Sequence, residues 1–264
     1  MTLKRIAIGV SYDGSRYHGW QVQQELNTLQ AEVERALSFV ANHPIHTICA
    51  GRTDAGVHAT AQVLHFDSEA IRSSHSWIFG PNSCLPADIC VKWAAEVASD
   101  FNARFSATAR TYRYIIYNHP IKPGILRNAV GWWHRALDVE KMHIAGQYLL
   151  GEHDFSSFRG AGCQSRSARR NVTRLQVSRR GDMVIVEVQA NAFLLHMVRN
   201  IVGVLVTIGS GDQPPEWAGK VLQAKDRRQA SITISPVGLY LVQVDYPAIF
   251  NLPLTSEGPF FLTS

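Results

Sequence analysis

The sequence predicts an α+β fold made of two fused ferredoxin-like halves, each with the element order β-α-β-β-α-β. Three observations predict it: short runs of alternating apolar residues, stretches with helical apolar spacing between them, and the return of the same order later in the chain. We expect the halves, residues 1–105 and 106–264, to form one extended antiparallel sheet with helices on one face and a central cleft. The halves share almost no identical residues, so the repeat is structural.

The first half begins with a strand, because apolar residues alternate from Arg5 to Tyr12. A helix follows, for which Asn27 and Gln30 predict a capping box. The other elements predicted for this half are strands at 45–50, 62–66 and 89–93 and a helix near 74–79.

The second half repeats this order. Asp138 is the predicted N-cap of its first helix, and Gly151 suits the C′ position of that helix. A hairpin is predicted about Arg180-Gly181-Asp182, between strands at 172–179 and 183–189. The other predicted elements are strands at 111–118 and 239–244 and helices at 195–208 and 217–223.

Composition indicates a globular protein with a basic balance. Of its 264 residues, 46% are hydrophobic, which suffices for a sizeable core, and 26 Lys and Arg outnumber 21 Asp and Glu. Arginine, which binds phosphate through a bidentate fork and stacks on flat rings, makes up most of the basic residues. This bias favours a phosphate-bearing partner.

Cysteine and histidine spacing predicts neither a disulfide framework nor a metal site. The four cysteines include no C-x-x-C pair, and the histidines include no H-x-x-x-H pair. Asp13 interrupts the N-terminal apolar run too early for a signal peptide, and no apolar run approaches the roughly 20 residues of a membrane span. We expect a cytoplasmic protein with no membrane partner and no bound metal.

The run Gly51-Arg52-Thr53-Asp54-Ala55-Gly56-Val57-His58-Ala59 is the strongest candidate for chemistry. It is a glycine-flanked connection between two predicted strands, and such loops often carry catalytic groups. Arg52 and Asp54 are two residues apart and can share a face in an extended segment. Their pairing would lower the pKa of Asp54, which suits a nucleophile. The alternative is a turn in which Asp54 caps the backbone.

Two arginine-rich segments favour RNA as the partner. Arginines and tyrosines interleave from Ser106 to Tyr114, as in surfaces that stack bases and contact phosphate. The segment from Arg159 to Arg180 holds seven arginines and no acidic residue. The alternatives are an ordinary strand with buried tyrosines and a solubilising tract. The expected RNA contacts are Arg110, Arg166, Arg169, Arg170 and Arg174.

Arg199 stands out because it lies within an apolar helical stripe. Such an arginine usually has an acidic partner. Asp54 is one possible partner, and an arginine that extends its charged end to solvent is the alternative.

Several motifs together resemble the tRNA pseudouridine synthase A family. The run around Asp54 resembles the active-site motif of that family, and the resemblance extends from the first predicted strand to the last. The other matching segments are Tyr12-Asp13-Gly14, Tyr17-His18-Gly19-Trp20-Gln21, Phe105 to Tyr114, Val198-Arg199-Asn200-Ile201-Val202-Gly203 and Pro236-Val237-Gly238-Leu239-Tyr240-Leu241.

The resemblance implies an isomerase that converts uridine to pseudouridine at positions 38, 39 and 40 of the tRNA anticodon stem-loop. It implies that Asp54 is the nucleophile, with Arg52 close by and Arg199 paired to Asp54. Tyr112 and Leu239 would bind the substrate, with Tyr112 in contact with the target uracil. It also implies a homodimer that needs no cofactor. The competing hypothesis is a non-catalytic RNA-binding module in which the Asp54 loop is structural.

Overall fold

The computed structural model describes residues 3–253 and 258–262, and it divides the chain into two units. The first unit is Met1–Arg110 with Tyr240–Ser264, and the second is Thr111–Leu239. The described residues form five α-helices and ten strands that pair mostly antiparallel. The predicted α+β class is therefore confirmed, whereas the central cleft stays a prediction.

The first unit has the predicted β-α-β-β-α-β order. Its elements are β1 (Lys4–Tyr12), α1 (Leu29–Ala41), β2 (Ile48–Cys49), β3 (His58–Ser68), α2 (Ser74–Asn82) and β4 (Ile89–Val97). β1 is central, since it pairs antiparallel with both β3 and β4. The apolar face of α1 and the ring pair Phe66–Trp77 contribute to the core of this unit.

Three details of this unit differ from the sequence predictions. The N-cap of α1 is Thr28, not Asn27, and no capping box forms because the Gln30 side chain bonds to side chains of Gln21 and Glu34 instead. The strand predicted at 45–50 is only two residues long. β3 begins four residues earlier than predicted, at His58, so it starts directly after the Asp54 loop.

The second unit consists of β5 (Ala109–Asn118), β6 (Gly131–Trp133), α3 (Val139–Gln147), β7 (Gly151–Asp154), β8 (Arg169–Arg180), β9 (Met183–Ala190), α4 (Met197–Gly209) and α5 (Trp217–Ala224). The short strands β6 and β7 were not predicted from the sequence. Asp138 caps α3 as predicted, by accepting a hydrogen bond from the Lys141 amide. Gly151, however, begins β7 and is not the C′ residue, because α3 already ends at Gln147.

The last strand, β10 (Leu239–Asp245), returns to the first unit. It pairs in parallel with the start of β3, so that Tyr240 lies opposite His58 and Leu241 opposite Ala59. The sequence placed this strand in the second half, because alternation identifies a strand but not the strand with which it pairs. None of the described helices is long and apolar enough to cross a membrane.

Candidate functional site

The Asp54 loop is closed by a backbone turn. The Val57 amide donates to the Asp54 carbonyl oxygen over 3.1 Å, and Gly56, the third residue of this turn, has a φ of 77°. A positive φ at the third position is typical of a type II turn and favours glycine. The turn therefore explains Gly56 and leaves the Asp54 side chain half-buried rather than enclosed.

Thr53 fixes the side of the loop that precedes Asp54. Its hydroxyl lies 2.9 Å from the Tyr12 hydroxyl, and its carbonyl oxygen accepts from the Trp20 amide over 3.0 Å. Thr53 is buried, whereas Arg52 is exposed and Asp54 is half-buried. This alternation is that of an extended segment, as the sequence suggested. The pairing of Arg52 with Asp54 stays a prediction.

Two glycines of the segment after β1 allow it to lie directly against the loop. A Cβ at Gly14 would stand 2.0 Å from the Val57 carbonyl oxygen, and one at Gly19 would stand 2.8 Å from the Thr53 carbonyl oxygen. Any side chain at Gly14 would therefore displace backbone. The motifs Tyr12-Asp13-Gly14 and Gly19-Trp20 therefore pack directly against the backbone of the Asp54 loop.

A buried histidine and an acid lie where the loop enters β3. His58 is 2% exposed, and its Nδ1 is 3.0 Å from Oδ1 of Asp13. The hydrogen bond from His58, together with the Ser15 amide, holds the pKa of the Asp13 carboxyl well below its usual value. The His58 ring stacks on Tyr240 of β10, with ring centroids 4.7 Å apart. Sequence spacing assigned no role to Asp13 or His58, although both lie within motifs that resemble the family.

Arg110 supports the start of the loop. It is buried and donates to the carbonyl oxygens of Ala50 (2.9 Å), Arg104 (2.6 Å) and Ala107 (3.1 Å). Ala50 immediately precedes Gly51, whose own carbonyl oxygen accepts from the Gln62 side chain over 2.7 Å. These hydrogen bonds indicate that Arg110 stabilises the backbone before the loop, and they do not favour its predicted contact with RNA.

The second unit carries the other predicted substrate residues. Tyr112 is 8% exposed and packs edge-on against Phe193, with centroids 5.1 Å apart. The Leu239 side chain is also buried. Arg199, near the start of α4, donates from Nε to the Ile234 carbonyl oxygen over 2.8 Å. Its pairing with Asp54 stays a prediction.

The predicted RNA-contacting arginines of the second unit differ in how far they are engaged. Arg174 pairs with the buried Glu187 over 2.9 Å, and Glu187 also holds Arg113 over 2.6 Å. Arg170 is half-buried and donates to Ser165 and to the Ser167 carbonyl oxygen. Burial lowers the pKa of Arg170.

Arg169 and Arg166 are the exposed members of that set. Arg169 lies 3.5 Å from the exposed carboxylate of Glu152. Arg166 is exposed, and within residues 3–253 and 258–262 the structure shows no hydrogen bond or ion pair for it. These two guanidinium groups are therefore the most available to a phosphate.

The side chains that commonly bind metals are scattered. Over the part of the chain that the structure describes, no three His, Cys, Asp or Glu side chains are grouped so that they could hold a metal ion.

Comparison with known proteins places these motifs in one group. Residues 8–106 and 145–247 match the family model described as tRNA pseudouridine synthase. A protein of Coxiella burnetii named tRNA pseudouridine synthase A is 62% identical over 98% of this chain and 100% of its own length. Proteins of that name from Shewanella amazonensis and Vibrio campbellii are 59% and 56% identical over 98% of this chain, and over 99% and 98% of their own lengths.

Proposed function

The chain belongs to the tRNA pseudouridine synthase family, isomerases that convert uridine to pseudouridine in tRNA, and we propose that its targets are positions 38, 39 and 40 of the anticodon stem-loop. We further propose that Asp54 is the nucleophile. The observation that carries this proposal is the half-buried Asp54 carboxylate on a loop whose backbone is held on both sides.

The reaction sets the demands on such a site. The bond between uracil N1 and ribose C1′ breaks, the base turns, and C5 bonds to C1′, while C5 loses a proton and N1 gains one. A carboxylate that attacks ribose C1′ or the uracil ring divides this change into easier steps. The sequence of bond changes is redox-neutral, and we propose that it needs no cofactor.

The remaining residues supply binding and orientation in this proposal. Tyr112 contacts the target uracil, Leu239 packs beside it, Arg52 lies near the flipped nucleotide, and Arg199 pairs with the Asp54 carboxylate. A target base in a stem must leave its stack before it can react, and an arginine can occupy or stabilise the gap. The exposed Arg166 and Arg169 are suited to contacts with the RNA backbone. From the resemblance, we also propose a cytoplasmic homodimer.

The test is Asp54→Asn, which keeps the shape of the side chain and removes its charge. We expect pseudouridine formation on anticodon stem-loop RNA to fall by at least about a thousand-fold, as for other catalytic nucleophiles, with tRNA affinity changed only a few-fold. The matched control is Asp67→Asn, since Asp67 lies at the other end of β3 in an ion pair with Arg5. Normal turnover in Asp54→Asn would refute the catalytic assignment and favour the RNA-binding module.

A further inference from the structure

We propose that Asp13 and His58 form a positioning pair that holds the C-terminal side of the Asp54 loop for the isomerisation. This inference rests on the proposed role of Asp54. The pair itself reacts with nothing. It acts through the backbone between His58 and Asp54.

The contact between the two side chains requires a proton on His58 Nδ1. That nitrogen lies 3.0 Å from Asp13 Oδ1 and 3.2 Å from the Gly14 amide nitrogen, and it cannot donate to the first and accept from the second at once. A lone pair on Nδ1 would face the carboxylate oxygen and be repelled by it. The Gly14 amide also points its hydrogen at this nitrogen, but the contact with the charged Asp13 carboxylate is the shorter and stronger of the two, so we place the proton on Nδ1, which donates a hydrogen bond to Asp13.

The same carboxylate oxygen also fixes the segment that borders the loop. Asp13 Oδ1 accepts from the Ser15 amide over 2.9 Å and caps the short 3₁₀ turn Gly14–Arg16. Gly14 in this turn lies against the Val57 carbonyl oxygen. Val57 in turn donates its amide to the Asp54 carbonyl oxygen. A shift of Asp13 or His58 is thus passed to Asp54 through two contacts.

The setting of His58 explains why an imidazole is present. Its ring is buried and stacked on Tyr240, and among the described residues its Nε2 has no hydrogen-bond partner. A buried nitrogen without a partner costs stability that an apolar side chain of similar size would not. The compensating gain must come from Nδ1, the atom that faces Asp13.

The ion pair between Arg5 and Asp67, at the other end of β3, provides the comparison. Arg5 and Asp67 are directly opposite each other on β1 and β3 and make two bonds of 2.7 Å each. This pair joins the same two strands at the end remote from the loop. It should contribute to stability but not to the placement of Asp54.

The experiment compares Asp13→Ser with Asp67→Ser in steady-state kinetics on anticodon stem-loop RNA. Serine still caps the 3₁₀ turn but is too short to reach His58. We expect kcat to fall about ten- to a hundred-fold, as for a small misplacement of a reacting group, with KM and tRNA affinity nearly unchanged and a melting temperature lowered no more than in Asp67→Ser. Asp13→Asn, whose amide oxygen accepts both bonds, should recover most of the loss. In Asp67→Ser we expect normal kcat.

His58→Ala completes a double-mutant cycle with Asp13→Ser. If the two side chains act as one unit, the double variant should lose no more kcat than the worse single variant. Independent, multiplying losses would overturn the proposal, as would an unchanged kcat in Asp13→Ser or an equal loss in Asp67→Ser. A loss confined to tRNA affinity would make Asp13 an RNA contact instead. Asp54→Asn, measured alongside, fails or succeeds separately, because it tests the nucleophile and not its support.

Discussion

The Asp54 loop and the arginine-rich segment 159–180 gave the two strongest functional predictions from the sequence. In the structure they differ in how firmly contacts with the rest of the chain hold them. The loop is held at Ala50, Gly51, Thr53 and Val57 by groups from other parts of the chain. The arginines of the segment range from Arg174, which is ion-paired, to Arg166, which is exposed. The backbone of the loop is thus held in place, whereas only some guanidinium groups of the segment are exposed to solvent.

This difference shows what sequence spacing can reveal. Short motifs around Asp54 have meaning because chemistry requires a fixed geometry, and a fixed geometry needs particular neighbours. A run of arginines is weaker evidence for a binding surface, because each guanidinium group can instead pair with an acceptor within the protein. Single substitutions can test each side of this comparison.

The largest expected effect in this comparison comes from Gly14→Ala. The new methyl group would stand 2.0 Å from the Val57 carbonyl oxygen, so the loop or the 3₁₀ turn must move. We expect at least a hundred-fold loss of kcat, because a misplacement of about 1 Å can cost that much, and a loss of about 1–3 kcal/mol in unfolding free energy. Steady-state kinetics and urea denaturation measure the two effects.

Gly124→Ala is the control for that variant. A Cβ at Gly124 would meet no atom within 4 Å, so alanine there should leave both quantities unchanged. Full activity in Gly14→Ala would show that the loop tolerates movement and that its close packing has no catalytic purpose.

Much of the fold followed from the sequence, and the exceptions share a cause. The order of the first unit, the Asp138 cap and the hairpin between β8 and β9 are local features, so alternation, capping and turn residues predicted them. The partner of β10 and the short β2 depend on hydrogen bonds to residues far away in sequence, and no local pattern encodes those.

The difference between local patterns and long-range contacts also explains which residues of the candidate site could be predicted. Asp54 could be singled out as the candidate nucleophile because its glycine-flanked setting is local, and this role stays a prediction. Arg110 was interpreted as an RNA contact because a strand with alternating Arg and Tyr looks like a nucleic-acid surface, whereas its acceptor on Ala50 is sixty residues away. His58 was not assigned a role, since its partner Asp13 is distant in sequence and only the fold brings them together.

The next largest effect is expected from Arg110→Met, which distinguishes a structural role of Arg110 from a contact with RNA. Arg110→Met keeps the length and apolar stem of the side chain but removes every donor. We expect a loss of about 2–4 kcal/mol in unfolding free energy, since three backbone carbonyl groups lose a charged partner. The salt dependence of tRNA binding should stay the same. If instead the protein keeps its stability and its binding becomes less salt-dependent, Arg110 contacts the RNA as the sequence first suggested.

The smallest expected effect concerns two arginines of the same segment. Each phosphate contact that a protein makes adds about 0.7–0.9 to the slope of log affinity against log salt. Arg166 is exposed, so Arg166→Gln should lower that slope by about this amount. Arg174→Gln removes a guanidinium already paired with Glu187, so we expect a smaller change in slope and a loss of stability instead. Binding of anticodon stem-loop RNA, titrated between low and physiological salt, gives both slopes. If both variants lower the slope by the same amount relative to the unsubstituted protein, Arg174 exchanges its pairing with Glu187 for a phosphate contact when RNA binds. The distinction between engaged and available arginines would then not describe the RNA-bound protein.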